Sequence, residues 1–173
     1  MSITSGDYLH QIFSAAERTD PQHVTDGLTI SDLHATKRVR KGWGEERWLV
    51  AENSPFGFKV IHVKAGERTS LQYHEKKEEA NLILRGEGTL YFADRVGNEI
   101  LTRALLPGDI VHVRPGAVHR IEASTDITLV EVSTPELDDV IRLSDDFGRG
   151  NGRISAEHES REGDQGLTWR ATR

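Results

Sequence analysis

The sequence predicts an all-β chain, an antiparallel sandwich or barrel preceded by one short helix. Three observations carry this: from about residue 43 the chain breaks into brief β-rich runs, the runs recur at roughly ten-residue spacing, and Gly, Pro and Asp punctuate them. Parallel α/β units would need helical patterns between the strands, and none is found there. The runs are "RWLVA" 47–51, "GFKVIHVKAG" 57–66, "TSLQYH" 69–74, "EANLILRG" 79–86, "GTLYFAD" 88–94, "NEILTRALL" 98–106, "DIVHVR" 109–114, "HRIEA" 119–123 and "DITLVEVS" 126–133. The short helix is expected over 5–18, where Tyr8, Leu9, Ile12, Phe13 and Ala16 fall at helical spacing behind Ser5 and Asp7 as caps.

This divides the chain into an N-terminal helix and linker arm (1–40), a β domain (41–149) and a tail (150–173). The segment 134–149 has room for one helical turn. The tail, "GNGRISAEHESREGDQGLTWRATR", is glycine-rich and charged with almost no apolar periodicity, so disorder or docking on a partner chain is expected of it.

Composition limits the partners. The 173 residues carry 22 Lys and Arg against 28 Asp and Glu, a formal charge of −6. The basic residues form no dominant stripe, which argues against nucleic acid, whose binding needs concentrated positive charge. There is no cysteine, so disulfides, thiolate ligands and a cysteine nucleophile are excluded, and any metal must be held by nitrogen and oxygen. No apolar stretch approaches the roughly 18 residues that span a bilayer, and "MSITSGDYLHQIF" lacks the order of a signal peptide. The expectation is a soluble, cytoplasmic protein without membrane contact.

One charged stretch, "TSLQYHEKKEEANLILRG" (69–86), holds candidate ligands. Strand alternation points Gln72 and His74 to one face, and in the following run puts Glu79, Asn81 and Ile83 on one face. If the two runs pair as a hairpin, Glu79 comes up beside His74 and "EKK" forms a solvated turn. Glu78 competes with Glu79, because alternation cannot be carried across a turn of unknown geometry. In "GDIVHVRPGAVH" the Pro115–Gly116 break lets His119 restart toward the same cavity. Gln72, His74, Glu79 and His119 together make a mixed nitrogen and oxygen site for a divalent transition metal with positions open to substrate. His62 and His112 lie inside strands, where a lone histidine is usually packed, and stay outside the set.

The same residues resemble the cupins, which implies a double-stranded β-helix or jelly-roll barrel. Gly66, Gln72, His74, Glu79 and Gly86 follow the first cupin motif; Gly108, Asp109, Pro115, Gly116 and His119 follow the second. Gln72 stands where most metal cupins have their first histidine, and in "SLQYH" this resembles the phosphomannose isomerases, whose zinc site uses Gln, His, Glu and His. The resemblance is closest to the C-terminal cupin of the type II mannose-6-phosphate isomerase / mannose-1-phosphate guanylyltransferases, through "GWGEE" 42–46, "VKAGERTSLQYH", "PGAVHRIE", "LVEVSTPELDDVIR" and "DDFGR". It covers about residues 40–149. Gly42 departs from the usual proline before Trp43, and Ala80 from a frequent histidine after the metal glutamate. The glycine-rich nucleotide loop of the bifunctional enzymes has no counterpart in these residues, so nucleotide-sugar synthesis is not expected of them.

The resemblance implies a divalent ion, zinc first, with iron, manganese, nickel or cobalt compatible, and a small-molecule substrate of the sugar-phosphate class. Glu131, on the strand face of Ile127 and Leu129, is the candidate base for moving a proton between neighbouring carbons; the alternative is that it faces outward. Arg149 and Arg142, in the closing segment, would hold a phosphate, or else pair with the neighbouring Asp residues. Lys64 and Arg114, at strand ends on the same rim, are further substrate contacts, or simply solvated. Trp43 packs across the barrel end or forms a wall of the pocket. Cupins commonly dimerise through their sheets or N-terminal segments, so a homodimer is expected. Other cupin chemistries (dioxygenase, epimerase, lyase) and plain sugar binding share the fold and stay open.

Overall fold

The computed structural model describes residues 22–153 apart from residue 32. The helix expected over 5–18 and the chain beyond 153 lie outside the described residues. The described residues fall into two units, divided after residue 37. The first holds a hairpin of β1 (Gln22–Thr25) and β2 (Leu28–Ile30) and a 3-10 turn at Leu33–Ala35, where the sequence suggested a linker.

The second unit contains β3 (Lys37–Lys41), β4 (Gly44–Trp48), β5 (Gly57–Val63), β6 (Leu71–Tyr73), β7 (Glu79–Arg85), β8 (Gly88–Ala93), β9 (Leu101–Leu105), β10 (Ile110–Val113), β11 (Val118–Ala123), β12 (Ile127–Ser133), β13 (Ile141–Ser144) and β14 (Gly152–Arg153). They form two six-stranded antiparallel sheets, in the order β10-β7-β12-β5-β4-β3 and β14-β13-β6-β11-β8-β9. Eight of the nine expected strands fall where alternation placed them. The first lies earlier than expected, at 44–48, because "GEERW" reads as polar yet is buried throughout: Arg38 holds Glu45, and Lys59 holds Glu46 at 3.5 Å. Two further corrections concern the C-terminal part. Residues 141–144 form a strand rather than a helical turn, and Gly152–Arg153 pair with β13, so the sheet runs past residue 150.

The hairpin expected between β6 and β7 does not form. β6 pairs with β11 and β13, β7 with β10 and β12, so the segment 74–78 crosses from one sheet to the other. The break after β10 makes a parallel crossing, and the two are tied where the Gly116 N–H donates to the His74 carbonyl at 2.7 Å. Gly116 sits at φ +87°, a left-handed conformation that costs other residues about 1–2 kcal/mol.

The core lies between the sheets, built from Trp43, Ile61, Val63, Ile83, Leu90, Leu105, Ile121, Ile127 and Leu129 with their neighbours. Its polarity changes along the strands. Registers place Ile61, Leu129 and Ile83 in one row across the first sheet, and Lys59, Glu131 and Asn81 in the row one pleat away. Glu79 stands one pleat further. Opposite it, Arg142, Gln72 and His119 form a row across the second sheet. One end of the barrel interior is therefore hydrocarbon and the other charged, with the change made within about 7 Å of strand.

Candidate metal centre

His74, Glu79 and His119 are all buried and bring one nitrogen or oxygen atom each to within 4.8 Å of one another. Their ring and carboxylate contacts are specific: His74 Nε2 lies 3.5 Å from Glu79 Oε2, His119 Nε2 3.4 Å from Glu79 Oε1, and the two imidazole centroids are 5.2 Å apart. His74 Nδ1 is hydrogen-bonded to the Asp139 carbonyl, which fixes the proton there and leaves Nε2 as an acceptor. His119 Nδ1 reaches the Ala117 carbonyl at 3.3 Å, with the same consequence. Burial holds the His119 imidazole below its ordinary pKa against the opposing pull of Glu79. Burial would raise the Glu79 carboxyl, but Lys77 and then the two histidines outweigh it and hold it well below the usual range.

Glu78 goes elsewhere: it meets His112 at 2.6 Å, both about half exposed. Of the two candidate carboxylates, Glu79 is the one facing the histidines. Gln72 lies directly across from His119, and its Oε1 accepts from Ser70 Oγ at 2.7 Å. All four residues line one cavity of about 80 Å3, room for an ion and a few waters.

The charged run between them is solvated only in part. Glu75 and Lys76 are exposed, but Lys77 is 3% exposed and lines the cavity. Its Nζ contacts Glu79 Oε2 and donates to Glu131 Oε1 at 2.9 Å. Burial alone would lower the Lys77 pKa; Glu131 and Glu79 together reverse the sign and hold it above the ordinary lysine value. The turn is held from outside by Asp139, whose carboxylate accepts from the Lys76 N–H at 2.5 Å and the Lys77 N–H at 3.0 Å.

Glu131 faces inward and is buried, but its surroundings are ionic. Besides Lys77 it has Lys59 Nζ at 3.6 Å; Lys59 in turn meets Glu46 at 3.5 Å and lies 4.7 Å over the Trp48 ring. Asn81 Nδ2 donates to Glu79 Oε1 at 3.0 Å. The cavity wall is thus a chain of alternating charge, Glu79–Lys77–Glu131–Lys59–Glu46.

The donors suit a divalent ion. His74 Nε2 is buried without a hydrogen-bond partner, an arrangement costly for an acceptor unless something cationic sits before it. Two imidazole nitrogens, a carboxylate and an amide oxygen are ligands for zinc, iron, manganese, nickel or cobalt alike.

Residues 29–145 match the family model described as mannose-6-phosphate isomerase, C-terminal. The chain belongs to this family. Its fold is also that of solved cupins. CapF, the capsular polysaccharide assembling protein of Staphylococcus aureus, superposes with TM-score 0.55 at 20% identity over 64% of this chain and 32% of CapF. Ectoine synthase from P. lautus gives 0.53 at 22%, over 62% of this chain and 78% of that one. Oxalate decarboxylase from Lactobacillus farciminis gives 0.56 at 16%, over 66% and 35%. The chain spans about a third of the length of CapF. No curated protein matches it.

Family membership does not bring every expected residue to the site. Trp43 is buried in the core cluster and also lines the cavity. Arg142 is buried beside Gln72 with Nη1 donating to the Gly150 carbonyl at 2.9 Å, outside the lining. Arg149 is held by Asp145, with Nε and the backbone N–H each donating at 3.1 Å, the pairing that competes with a phosphate role. Lys64 and Arg114 are exposed and do not line the cavity. The cations that do line it, Lys59 and Lys77, were not expected. Alternation in "GFKVIHV" could have found Lys59, since it shares a face with Ile61 and Val63; nothing in "EKKE" singles out Lys77.

Proposed function

We propose that the chain is a metal-dependent cupin enzyme that isomerises a sugar phosphate of the mannose 6-phosphate kind or a closely related small carbohydrate. The observation that carries this is the buried acceptor cluster of His74, Glu79 and His119 opening on a cavity with Glu131 in its wall. Gln72, His74, Glu79 and His119 would hold the ion, zinc by preference. Once bound, it supplies Lewis acidity toward a carbonyl or hydroxyl oxygen.

The rest falls to the chain's own groups. Glu131 is the carboxylate placed to take a proton from one carbon and return it to the next. Lys77 and Lys59 fix its position from either side, and Asn81 does the same for Glu79. The apolar Ile61 and Leu129, which line the cavity, shield it from water on the core side. In this reading any phosphate is held outside the cavity, whose lining contains no arginine among the described residues.

Elemental analysis of the purified protein tests the site: metal is expected in the wild type and lost in Gln72→Ala and His119→Ala, and metal retained in both variants overturns it. The zinc-loaded protein is expected to interconvert mannose 6-phosphate and fructose 6-phosphate; leaving both untouched sinks the sugar-phosphate form. A second reading is favoured by the lining itself, which among the described residues contains no arginine. It is an iron- or manganese-dependent cupin enzyme acting on a smaller, unphosphorylated metabolite, distinguished by the metal found. Ligand binding without turnover, unchanged by Glu131→Gln, would instead make the protein a sugar-binding cupin.

A homodimer belongs to the same proposal. What supports it is the outer face of β10, β7 and β12, where Ile110 (70% exposed), Leu82, Leu84 and Val132 form an apolar strip at a sheet edge. Light scattering at micromolar concentration should give twice the chain mass, 19.4 kDa each; a monomer would refute it. Among the described residues no helix is long and apolar enough to cross a membrane.

A further inference from the structure

We propose that Lys77 is a built-in counter-cation of the metal site, which moves off Glu79 and onto Glu131 when a divalent ion binds. This rests on the metal-centre reading and adds to it a residue that sets how tightly the ion is held.

Lys77 Nζ touches Glu79 Oε2, the same oxygen that faces His74 Nε2 at 3.5 Å. The ammonium therefore shares with any incoming ion the carboxylate between the two histidines. Two cations on one carboxylate repel each other strongly in a buried site, and the divalent one has the larger attraction. Lys77 need not leave the interior to yield, because a second seat is already made: Glu131 Oε1 accepts from the same Nζ at 2.9 Å. Only one of two existing contacts is given up.

Glu131 can take the full ammonium because its other partner can give way. Lys59 lies 3.6 Å from Glu131 and 3.5 Å from Glu46, so it sits between two carboxylates as Lys77 does. The alternating chain lets charge be redistributed without leaving a buried ion unpaired, which is the costly outcome. The consequence is a site whose carboxylate is never bare: Lys77 compensates Glu79 before the ion arrives and competes with the ion thereafter.

The test is zinc affinity, measured by competition with a chromophoric chelator, on four proteins: wild type, Lys77→Met, Glu131→Gln and the double variant. Lys77→Met removes the competitor and should bind zinc at least tenfold more tightly. Glu131→Gln weakens the second seat, presses Lys77 onto Glu79, and should bind at least tenfold more weakly. The double variant should bind like Lys77→Met alone, since with no ammonium the seat does not matter; this separates the swap from a role of Glu131 as ligand. Melting temperatures taken without zinc identify any variant that does not fold. Should Lys77→Met fall there, Lys77→Gln takes its place with the same expectation. Equal or weaker zinc binding without Lys77, in a protein that binds zinc, overturns the swap and leaves the metal centre standing. No zinc on the wild type or on any variant overturns both.

Discussion

Glu131→Ala is expected to lower the free energy of unfolding by about 3 kcal/mol, since removing one partner of a buried ion pair leaves an uncompensated charge. Two ammonium groups face Glu131, Lys77 at 2.9 Å and Lys59 at 3.6 Å. Both keep another carboxylate, Glu79 and Glu46 respectively, which places the cost toward the lower end of what such a deletion does. For a chain of this size the loss amounts to a fall in melting temperature of roughly 6–12 °C. Glu131→Gln should cost less, because the amide oxygen still accepts from Lys77. The contrast is Glu78→Ala. It deletes a carboxylate with a shorter partner contact, 2.6 Å to His112, but with side chains 46% exposed, and should change stability by no more than about 1 kcal/mol. Urea unfolding of the three variants checks the ranking. A loss below about 1 kcal/mol for Glu131→Ala would mean that the ionic wall is not held as a unit.

The contrast also shows what a sequence pattern can and cannot carry. Alternation needs only the chain's own period, so the strands from β5 to β12 and the shared face of Gln72 and His74 were legible, whereas it left open Glu79 against Glu78 and the inward or outward direction of Glu131. Sheet membership is not a local property. β6 and β7 follow each other in "SLQYHEKKEEANLIL" and looked like a hairpin, but each pairs only with strands distant in sequence, β6 with β11 and β13 and β7 with β10 and β12, in opposite sheets. That crossing turns Lys77 inward. A lysine in a run of charge is solvated by default, and only the two carboxylates that meet it from β7 and β12 make its burial tolerable.

For the arginines of the closing segment the sequence left two readings, a phosphate or the neighbouring Asp residues; Arg149 pairs with Asp145, and Arg142 donates to the Gly150 carbonyl. Similarly, "GEERW" hides a strand because its charges are neutralised by residues from neighbouring strands, Arg38 and Lys59. Wherever burial was decided by a partner distant in sequence, the residues alone did not reveal it.

Asp139 is the clearest example, and its replacement is the second large effect expected. Nothing in "PELDDVIR" separates it from Asp138, but Asp139 is buried and its carboxylate takes the N–H groups of Lys76 and Lys77, while its carbonyl takes His74 Nδ1. Asp139→Ala strands two backbone donors, each worth about 1–3 kcal/mol when left unsatisfied, and frees the turn that sets His74 and Glu79 against each other. A loss of about 2–6 kcal/mol is expected, with weaker zinc binding although no proposed ligand is touched. Its pH dependence has a definite sign. Burial would raise the Asp139 carboxyl, but the Lys77 and Lys76 N–H groups, with His74 and Arg153 behind them, hold it below its ordinary value. A carboxyl depressed in the folded state stabilises it fully above the ordinary aspartate pKa and loses that contribution as pH falls through the lower, folded value. The stability difference between wild type and Asp139→Asn, which keeps the side chain's shape but not its charge, should therefore be constant near neutrality and shrink on acidification below the ordinary aspartate range. A difference that grew on acidification, measured by urea unfolding across that range, would place the turn's anchor elsewhere.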